Sequence, residues 1–236
     1  MTGEVPVALV TGGTGQVGSV VVRFFAERGV RLLVPYRTHA HWERLRDALG
    51  PLASRVEGLT VDLADPAGGE RAVAATLERF GRLDWVLCLA GGFRPGRLVE
   101  TEQEVWQELL ALNLWPTVSV LRAALPHLLE QGSGRIVTVG ARAALDPGPG
   151  AVAYAAVKQA VVTLTLAVAR ECRGTGVTAN CIAPATIDTP ANRAAMPTAD
   201  FTKWVKPEQV AALLWYLCSA EGAALNGAVI PLVGGQ

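Results

Sequence analysis

A glycine-rich segment near the start of the chain places the strongest constraint on its fold. Residues 6–10 are a continuous apolar run, residues 11–18 read Thr-Gly-Gly-Thr-Gly-Gln-Val-Gly, and an apolar helical pattern follows. The order strand, glycine turn, helix is typical of a phosphate-binding βα unit, because glycines let the backbone approach a pyrophosphate and the helix N-terminus attracts its charge. Such turns also simply connect strands to helices. We predict that the following loop residues contact a dinucleotide: Gly12, Thr14, Gly15, Gln16, Val17 and Gly18.

Strand-like apolar runs and helical patterns alternate along the rest of the 236 residues. Further strands are predicted at residues 31–34, 56–61, 85–89, 136–139, 177–183 and 228–233. Such alternation predicts an α/β protein with a single Rossmann-type, doubly wound parallel sheet and helices on both faces. Because no repeat, linker or low-complexity break interrupts it, we expect one dinucleotide-binding domain over residues 1–236. A long loop at about 190–206 is predicted to cover the substrate.

Charge and hydropathy narrow the classes of partner. Basic and acidic residues number 21 each, so the net charge is zero and no strong field favours nucleic acid or an anionic membrane. Charged residues such as Lys158 and Arg170 interrupt the apolar stretches, and residues 1–13 lack the basic start and apolar core of a signal peptide. We therefore expect a cytoplasmic protein that acts on a small molecule, without a nucleic-acid or membrane partner.

Cysteine and histidine spacing indicates no metal site. Cysteines occur at four scattered positions with apolar neighbours, which predicts buried, reduced thiols: Cys88, Cys172, Cys181 and Cys218. Two of the three histidines share a polar helix start, and the third is far along the chain. No metal ligand set follows from this pattern.

A second motif, Tyr154 with Lys158, follows the strand predicted at 136–139. A Gly/Pro-rich loop at 147–150 ends that strand, and an apolar helix begins at about Val152. Four residues apart on a helix, the phenol and the ammonium lie on one face. A positive charge near a phenol lowers its pKa, which suits a proton donor or acceptor near neutral pH. The same spacing is also common on helix surfaces, where it carries no chemistry.

The end of the second strand bears on the choice of cofactor. In dinucleotide folds an acidic residue there binds the ribose 2′-OH, whereas an arginine accommodates a 2′-phosphate. This chain reads Pro35-Tyr36-Arg37 and has no acid there, so we predict NADP(H), with NAD(H) as the alternative. The other interpretation of Arg37 is a solvated loop charge.

Two further strand ends add candidate cofactor contacts. Asp62 and Leu63 follow the third strand, where the aspartate either accepts a hydrogen bond from an adenine amino group or caps the next helix. Ala90, Gly91 and Gly92 follow the fourth strand, where small residues let the backbone pass close to another group.

One polar residue, Asn113, lies in the apolar helical stretch at 101–130. Its neighbours include Leu112, Leu114 and Trp115. An asparagine in such a run is either an internally hydrogen-bonded structural residue or a polar group kept for function. The sequence leaves both interpretations open.

Taken together, these motifs resemble the short-chain dehydrogenase/reductase family over essentially the whole chain. The loop at 11–18 has the family's Thr-Gly-x-x-Gly-x-x-Gly spacing. The other matches follow in order: Asp62-Leu63, Leu89-Ala90-Gly91, Asn113, Tyr154 with Lys158, and residues 180–189. The resemblance implies that Asp62 contacts the adenine. It also implies that the last segment holds the nicotinamide, with the contacts assigned to Pro184, Ile187 and Thr189.

The same resemblance implies how the catalytic residues act. Tyr154 supplies a proton, Lys158 assists it by charge and binds the nicotinamide ribose, and Asn113 holds a water that relays protons to the lysine. In this family the helix after the tyrosine pairs with its copy in a second subunit. Here that helix is apolar on more than one face, which predicts burial on all sides. We therefore expect a homodimer or homotetramer.

The departure from the family pattern lies at Ala141. The family's catalytic serine stands thirteen residues before the tyrosine, and this chain has no hydroxyl there. Within the family the dihydropteridine reductases also have alanine at this place, and they are similar to this chain at residues 87–92, 140–146, 188–193, 196–197 and 199–201. The resemblance thus implies an NAD(P)H-dependent oxidoreductase of a small electron-poor substrate, with a quinonoid dihydropteridine as the candidate. The alternatives are a reductase of another carbonyl, imine or quinone, and a non-catalytic dinucleotide-binding sensor.

Overall fold

A computed structural model describes residues 5–235 of the chain. Within these residues, seven parallel strands form one sheet in the order β3-β2-β1-β4-β5-β6-β7. The strands are β1 Val7–Thr11, β2 Arg31–Tyr36, β3 Val56–Thr60, β4 Trp85–Cys88, β5 Gly134–Val139, β6 Val177–Pro184 and β7 Val229–Leu232. The predicted doubly wound sheet is confirmed. Residues 1–4 and 236, which belong to the predicted domain and, for 1–4, to the stretch used to predict localisation, lie outside the described residues.

Helices connect successive strands. In the described part of the chain they are α1 Gln16–Glu27, α2 His39–Leu49, α3 Gly68–Phe80, α4 Gln103–Leu109, α5 Trp115–Gln131, α6 Arg142–Leu145, α7 Val152–Glu171, α8 Pro190–Ala195 and α9 Pro207–Cys218. A π turn, Leu110–Leu114, joins α4 to α5. The strand and helix positions follow the apolar periodicity closely, and boundaries shift by a few residues where turn geometry decides them.

Apolar side chains cover both faces of the sheet. On one face, Phe25 of α1 and Leu214 of α9 pack in one buried cluster with Ala8 of β1. On the other face, Val73 of α3 and Leu121 of α5 pack in a second cluster. Alternate residues of a strand point to opposite faces, so a strand that is buried on both sides is apolar throughout. This explains why the strand runs were continuous rather than alternating.

Two helical segments, Gln103–Gln131 and Val152–Glu171, are long and apolar enough to cross a membrane by length and composition. Both pack against the sheet, α5 on β4 and β5 and α7 on β5 and β6. Core helices meet the same criterion, so these segments are only a weak indication of a membrane span.

The winding of the chain reverses between β1 and β4, and this reversal positions the site. Parallel strands place all their carboxyl ends at one edge, and loops that diverge at a reversal leave a crevice there. The loops after β1 and β4 touch at the crevice: the Ala90 N–H donates to Thr11 Oγ1 over 3.1 Å. Gly12 has φ +67°, and a Cβ there would stand 2.7 Å from the Ala90 nitrogen. Only glycine fits that position, because both the backbone conformation and the space exclude a side chain.

Candidate active site

One cleft of about 990 Å³ opens at the carboxyl edge of the sheet. All the predicted site residues line it: Gly12, Thr14, Gly15, Gln16, Val17, Gly18, Arg37, Asp62, Leu63, Ala90, Gly91, Gly92, Asn113, Tyr154, Lys158, Pro184, Ile187 and Thr189. The structure therefore brings together, in one cavity, groups that the sequence spreads over more than 170 positions. Their individual binding roles stay predictions.

The glycine loop fits a pyrophosphate. Gly15 is the N-cap of α1 and makes no side-chain capping bond, and the first turn of the helix carries no acidic residue. The N–H groups at this helix start therefore lack a side-chain acceptor and lie at the positive end of the helix dipole. A Cβ at Gly18 would collide with the carbonyl oxygen of Gly12, so the turn tolerates glycine alone at that position. This geometry is suited to bind a diphosphate.

Arg37 and Asp62 line the cleft just after the ends of β2 and β3. Arg37 is exposed, and within residues 5–235 it makes no hydrogen bond or ion pair. Asp62 accepts from the Ala64 N–H through Oδ1 over 2.9 Å, which leaves Oδ2 for another donor. Tyr36, which the sequence reading passed over, lies flat against the Trp42 ring at a centroid distance of 5.5 Å. Arg37 thus extends from a rigid aromatic base into the cleft.

Tyr154 and Lys158 both face the cleft from the start of α7. Lys158 is only 4 % exposed, and its Nζ donates to the Val139 carbonyl over 2.9 Å. That nitrogen lies 6.0 Å from the centroid of the Tyr154 ring. The Tyr154 ring also meets Phe93 edge to face at a centroid distance of 5.0 Å. The pair is therefore fixed inside the protein and is not an exposed helix-surface pair.

The predicted lowering of the Tyr154 pKa is wrong for this structure. Burial raises the pKa of Tyr154 to about 12, because a buried phenolate loses its hydration. Burial likewise lowers the pKa of Lys158 to about 8. The desolvation of the phenol outweighs an ammonium whose nitrogen is several ångströms from the ring. At neutral pH Tyr154 is a protonated phenol, which is the form that donates a proton.

Asn113 is fully buried within the π turn and clamps the loop after β4. Its Oδ1 accepts from the Gly92 N–H over 3.1 Å, while its Nδ2 donates to the carbonyls of Gly92, over 3.1 Å, and Leu109, over 2.9 Å. A Cβ at Gly91 would lie 2.8 Å from Asn113 Oδ1 and 3.1 Å from Lys158 Nζ, so both side chains converge on that glycine. These bonds support both interpretations that the sequence left open, because the amide is internally satisfied and also shapes the cleft. The water relay through Asn113 stays a prediction.

Ala141 lies where the family resemblance places a serine. It is 5 % exposed, lines the cleft and has an extended backbone directly before α6. The preceding residue, Gly140, is held by its N–H donating to the Ile182 carbonyl over 2.8 Å. The neighbouring cleft residues 139–143 also carry no hydroxyl, and the one side-chain donor among them, Arg142, is paired with Asp146 over 2.8 Å.

Several cleft residues escaped the sequence reading. The segment at 190–206, predicted above to cover the substrate, is called the covering segment. The cavity is also lined, beside Tyr154 and on the covering segment itself, by Phe93, Arg142, Asp146, Asn192 and Met196. Each lies within a few residues of a predicted motif, so proximity to the motifs was the available signal. Aromatic, aliphatic and charged side chains in loops carry no spacing rule that identifies them as ligand contacts.

A hydrogen bond joins the covering segment to the start of α1. The Ala191 N–H at the start of α8 donates to Gln16 Oε1 over 3.4 Å. Gln16 is the first residue of α1, so the phosphate loop and the covering segment share a contact. The segment at 190–206 contains α8 and a 3₁₀ turn, Phe201–Lys203, rather than an irregular loop.

Comparison with known families decides the identity of the fold and its chemistry. The model of the short chain dehydrogenase family matches residues 6–200. The chain belongs to this family. Members of the family are oxidoreductases that bind a nicotinamide dinucleotide, and the glycine loop described above fits that group.

Similar proteins span almost the full chain of this short-chain dehydrogenase. A 3-oxoacyl-[acyl-carrier-protein] reductase from Thermotoga maritima is 27 % identical, with 98 % of each sequence covered. The solved structure of a short-chain type dehydrogenase/reductase from Mycobacterium ulcerans is 26 % identical, with a TM-score of 0.92, 98 % of this chain and 89 % of that chain covered. The fold also matches that of ElxO, solved with NADP bound, at 22 % identity, a TM-score of 0.91 and 97 % coverage of both chains.

Buried Lys158 of this short-chain dehydrogenase leads to a stability prediction. Its pKa of about 8 in the folded protein is below the ordinary 10.5, so the folded state binds fewer protons than the unfolded state between these values. Its contribution to the free energy of unfolding therefore rises with pH in that window and is least favourable below pH 8. We expect Lys158→Met to raise the free energy of unfolding at pH 7 by on the order of 1–3 kcal/mol and to abolish turnover.

The check is chemical denaturation of both proteins at pH 7 and pH 9.5. The advantage of the variant should shrink at the higher pH, because folded wild type no longer holds a buried charge on Lys158 there. A Lys158→Met protein that is less stable than the wild type at pH 7 would contradict the inference that the buried Lys158 ammonium lowers the free energy of unfolding.

Proposed function

We propose that this short-chain dehydrogenase is an NADPH-preferring reductase of a small, planar, electron-poor substrate, with a quinonoid dihydropteridine as the leading candidate. The observation that carries this proposal is Ala141, buried in the cleft where a serine would hold a substrate carbonyl. For a simple ketone, a missing donor of this kind costs about a hundredfold or more in rate. A quinonoid ring is already activated, so its reduction depends less on a second donor.

The cleft supports a flat ligand beside the catalytic pair. Phe93 is 53 % exposed and presents its ring next to that of Tyr154. Met196 supplies a polarisable apolar contact from the opposite segment. Arg142 and Asp146 form an ion pair of 2.8 Å in the same cavity and offer a donor and an acceptor to a polar ring edge. Such walls favour an aromatic heterocycle.

The bound dinucleotide supplies the hydride. Tyr154 Oη holds the proton that the substrate receives, because the phenol is protonated throughout the neutral range. Lys158, charged below pH 8, stabilises the developing phenolate. Asn113 keeps Gly91 and Gly92 close to Lys158 and so shapes the floor of the site.

Tyr154→Phe tests both the proton donor and the substrate class. With chemically generated quinonoid dihydropterin and NADPH, we expect turnover by the wild type and a loss of about a hundredfold or more in kcat for the variant, since general acid catalysis is worth this much. Stopped-flow loss of NADPH absorbance measures the rate. The matched control is Phe93→Leu, which alters the wall without removing the hydroxyl and should change KM more than kcat.

The outcomes separate the parts of the proposal. Absence of turnover by the wild type, together with tight NADPH binding, would refute the pterin assignment. Equal kcat for wild type and Tyr154→Phe would refute the role of the phenol.

The cofactor preference is proposed from Arg37. Its exposed guanidinium at the cleft rim suits a 2′-phosphate, and the end of β2 has no acidic residue to accept from a 2′-OH. NAD(H) remains the alternative cofactor. Glu43 and Asp47 lie on the adjacent α2, but Glu43 pairs with Arg46 over 3.1 Å.

Replacement of Arg37 by Asp should reverse the preference. We expect the ratio of kcat/KM for NADPH over NADH to fall by about tenfold or more, because an ion pair to phosphate is replaced by repulsion. Arg44→Asp, on the exposed side of α2, is the charge-matched control and should leave that ratio unchanged. An unchanged ratio for Arg37→Asp would assign Arg37 to the solvent.

A second candidate is the reduction of another carbonyl, imine or quinone. The similarity to a 3-oxoacyl-[acyl-carrier-protein] reductase favours it, although at 27 % identity. A non-catalytic dinucleotide sensor is disfavoured, because Tyr154, Lys158 and Asn113 converge in one cleft. Turnover of any electron-poor acceptor with NADPH distinguishes the enzyme from the sensor.

We also propose that the chain is a homo-oligomer, a dimer or a tetramer. Within one chain Ala156, Gln159, Thr163 and Ala167 form an exposed stripe on α7, so the predicted burial of this helix on all sides requires a second copy. Trp115 at the start of α5 is also half exposed. A second copy would cover these surfaces.

Light scattering of the wild type at micromolar concentration should give two or four times the chain mass of 24.8 kDa. Thr163→Glu should lower the mass, because it places charges in a packed interface. Thr175→Glu, beyond the end of α7, is the control. A monomeric wild type would contradict the proposal.

A further inference from the structure

A buried carboxylate that belongs to none of the predicted contacts lies beside the cleft. Asp188 has a side chain that is 8 % exposed, and both of its oxygens are bound by cations. Arg193 binds it through Nε at 2.5 Å and Nη2 at 2.8 Å, and Lys206 Nζ lies 2.6 Å from Oδ2. The hydrogen bonds from Arg193 and Lys206 hold the pKa of Asp188 well below its usual range, so it is charged at neutral pH.

These ion pairs join three elements that are separate in sequence. Asp188 follows β6, Arg193 is in α8, and Lys206 immediately precedes α9. Because α9 packs against α1 and the sheet, Lys206 has a rigid anchor. The clamp therefore fastens the covering segment to the body of the domain at both of its ends.

Backbone hydrogen bonds and a cation–π contact reinforce the same closure. The Asp188 N–H donates to the Val205 carbonyl over 2.8 Å, and the Val205 N–H donates to the Thr186 carbonyl over 3.0 Å. The Arg193 guanidinium also covers the Phe201 ring, at 4.8 Å from its centroid. Every partner in the clamp is a group of the chain itself.

The residues on either side of Asp188 face the cleft. Ile187 and Thr189 line the cavity, and Thr189 Oγ1 accepts from the Asn192 N–H, which starts α8. A displacement of Asp188 would move both of these residues together with α8. The position of the Asp188 carboxylate thus determines where Ile187 and Thr189 lie in the cleft that is predicted to hold the dinucleotide.

We propose that Asp188 is a positioning residue, and that the Asp188–Arg193–Lys206 clamp holds residues 187–206 in a binding-ready arrangement before any ligand arrives. The usual alternative is a covering loop that becomes ordered only when the ligand binds. A preorganised wall lowers the conformational cost of binding, so cofactor affinity should depend on the clamp.

Asp188→Asn tests the clamp by two measurements that need no turnover. The first is limited trypsinolysis of the cofactor-free protein, with cleavage after Arg193 and after Lys203 followed by mass spectrometry. We expect slow cleavage in the wild type and cleavage that is about tenfold faster in the variant, because local opening exposes these bonds. The second is equilibrium binding of NADPH, followed by its fluorescence, with a dissociation constant that rises about fivefold or more.

Asp84→Asn is the matched control. Asp84 is 13 % exposed and binds Arg82 at 2.7 and 2.9 Å, but it lies before β4, outside the cleft. Loss of the Asp84 carboxylate should lower the melting temperature but leave the trypsin cleavage rate and the NADPH dissociation constant unchanged. If Asp188→Asn does not fold, Lys206→Met removes one of the two cations of the clamp, and it should raise both the trypsin cleavage rate and the NADPH dissociation constant.

Two results would overturn the proposal. One is rapid trypsin cleavage of the cofactor-free wild type at Arg193 and Lys203 that NADPH suppresses, which would show ordering by the ligand. The other is an unchanged NADPH dissociation constant in a folded Asp188→Asn protein. Neither measurement uses the proposed substrate, so failure of the pterin assignment does not affect this test.

Discussion

The contact between the backbone after β1 and the backbone after β4 is the constraint on which the rest of the site depends. Gly12 brings the phosphate loop against Ala90, and the bond from the Ala90 N–H to Thr11 fixes the distance. Gly91 then leaves room for Lys158 Nζ and for the Asn113 amide, and Gly92 leaves room for the Leu112 side chain. A side chain at Gly12 or Gly91 would push apart the groups that meet there, since the neighbouring atoms are backbone at Gly12 and buried polar side chains at Gly91.

The burial of Tyr154 and Lys158 has a cost in stability. A buried lysine whose ammonium has one backbone acceptor is poorly solvated, and a buried phenol resists ionisation. The same burial gives each group its chemistry, since the phenol stays protonated at neutral pH and the lysine titrates close to it. Polar groups that destabilise a fold are usual where a site needs them.

The sequence predicted the fold and most of the residues that line the cleft, but it did not predict the pKa of Tyr154 or the Asp188–Arg193–Lys206 clamp. Apolar runs and glycine turns are local signals, so β1, α1 and the helix that carries Tyr154 could be read directly. The pKa of Tyr154 was wrong because it depends on burial, to which residues distant in sequence such as Phe93 contribute. The Asp188 clamp was missed because its partners come from α8 and from the residue before α9, and no motif spacing encodes that meeting.

The π turn at Leu110–Leu114 sets the rotation of α5 about its axis relative to α4. A helix that closes one wider turn contains one residue more than a uniform α-helix of the same path, and each residue corresponds to a rotation of about 100°. Asn113 in this turn lines the cleft, whereas Trp115, the first residue of α5, is half exposed. The length of this five-residue turn is consequently constrained: a single deletion would rotate α5 against α4 by about 100° and turn part of its buried face toward solvent.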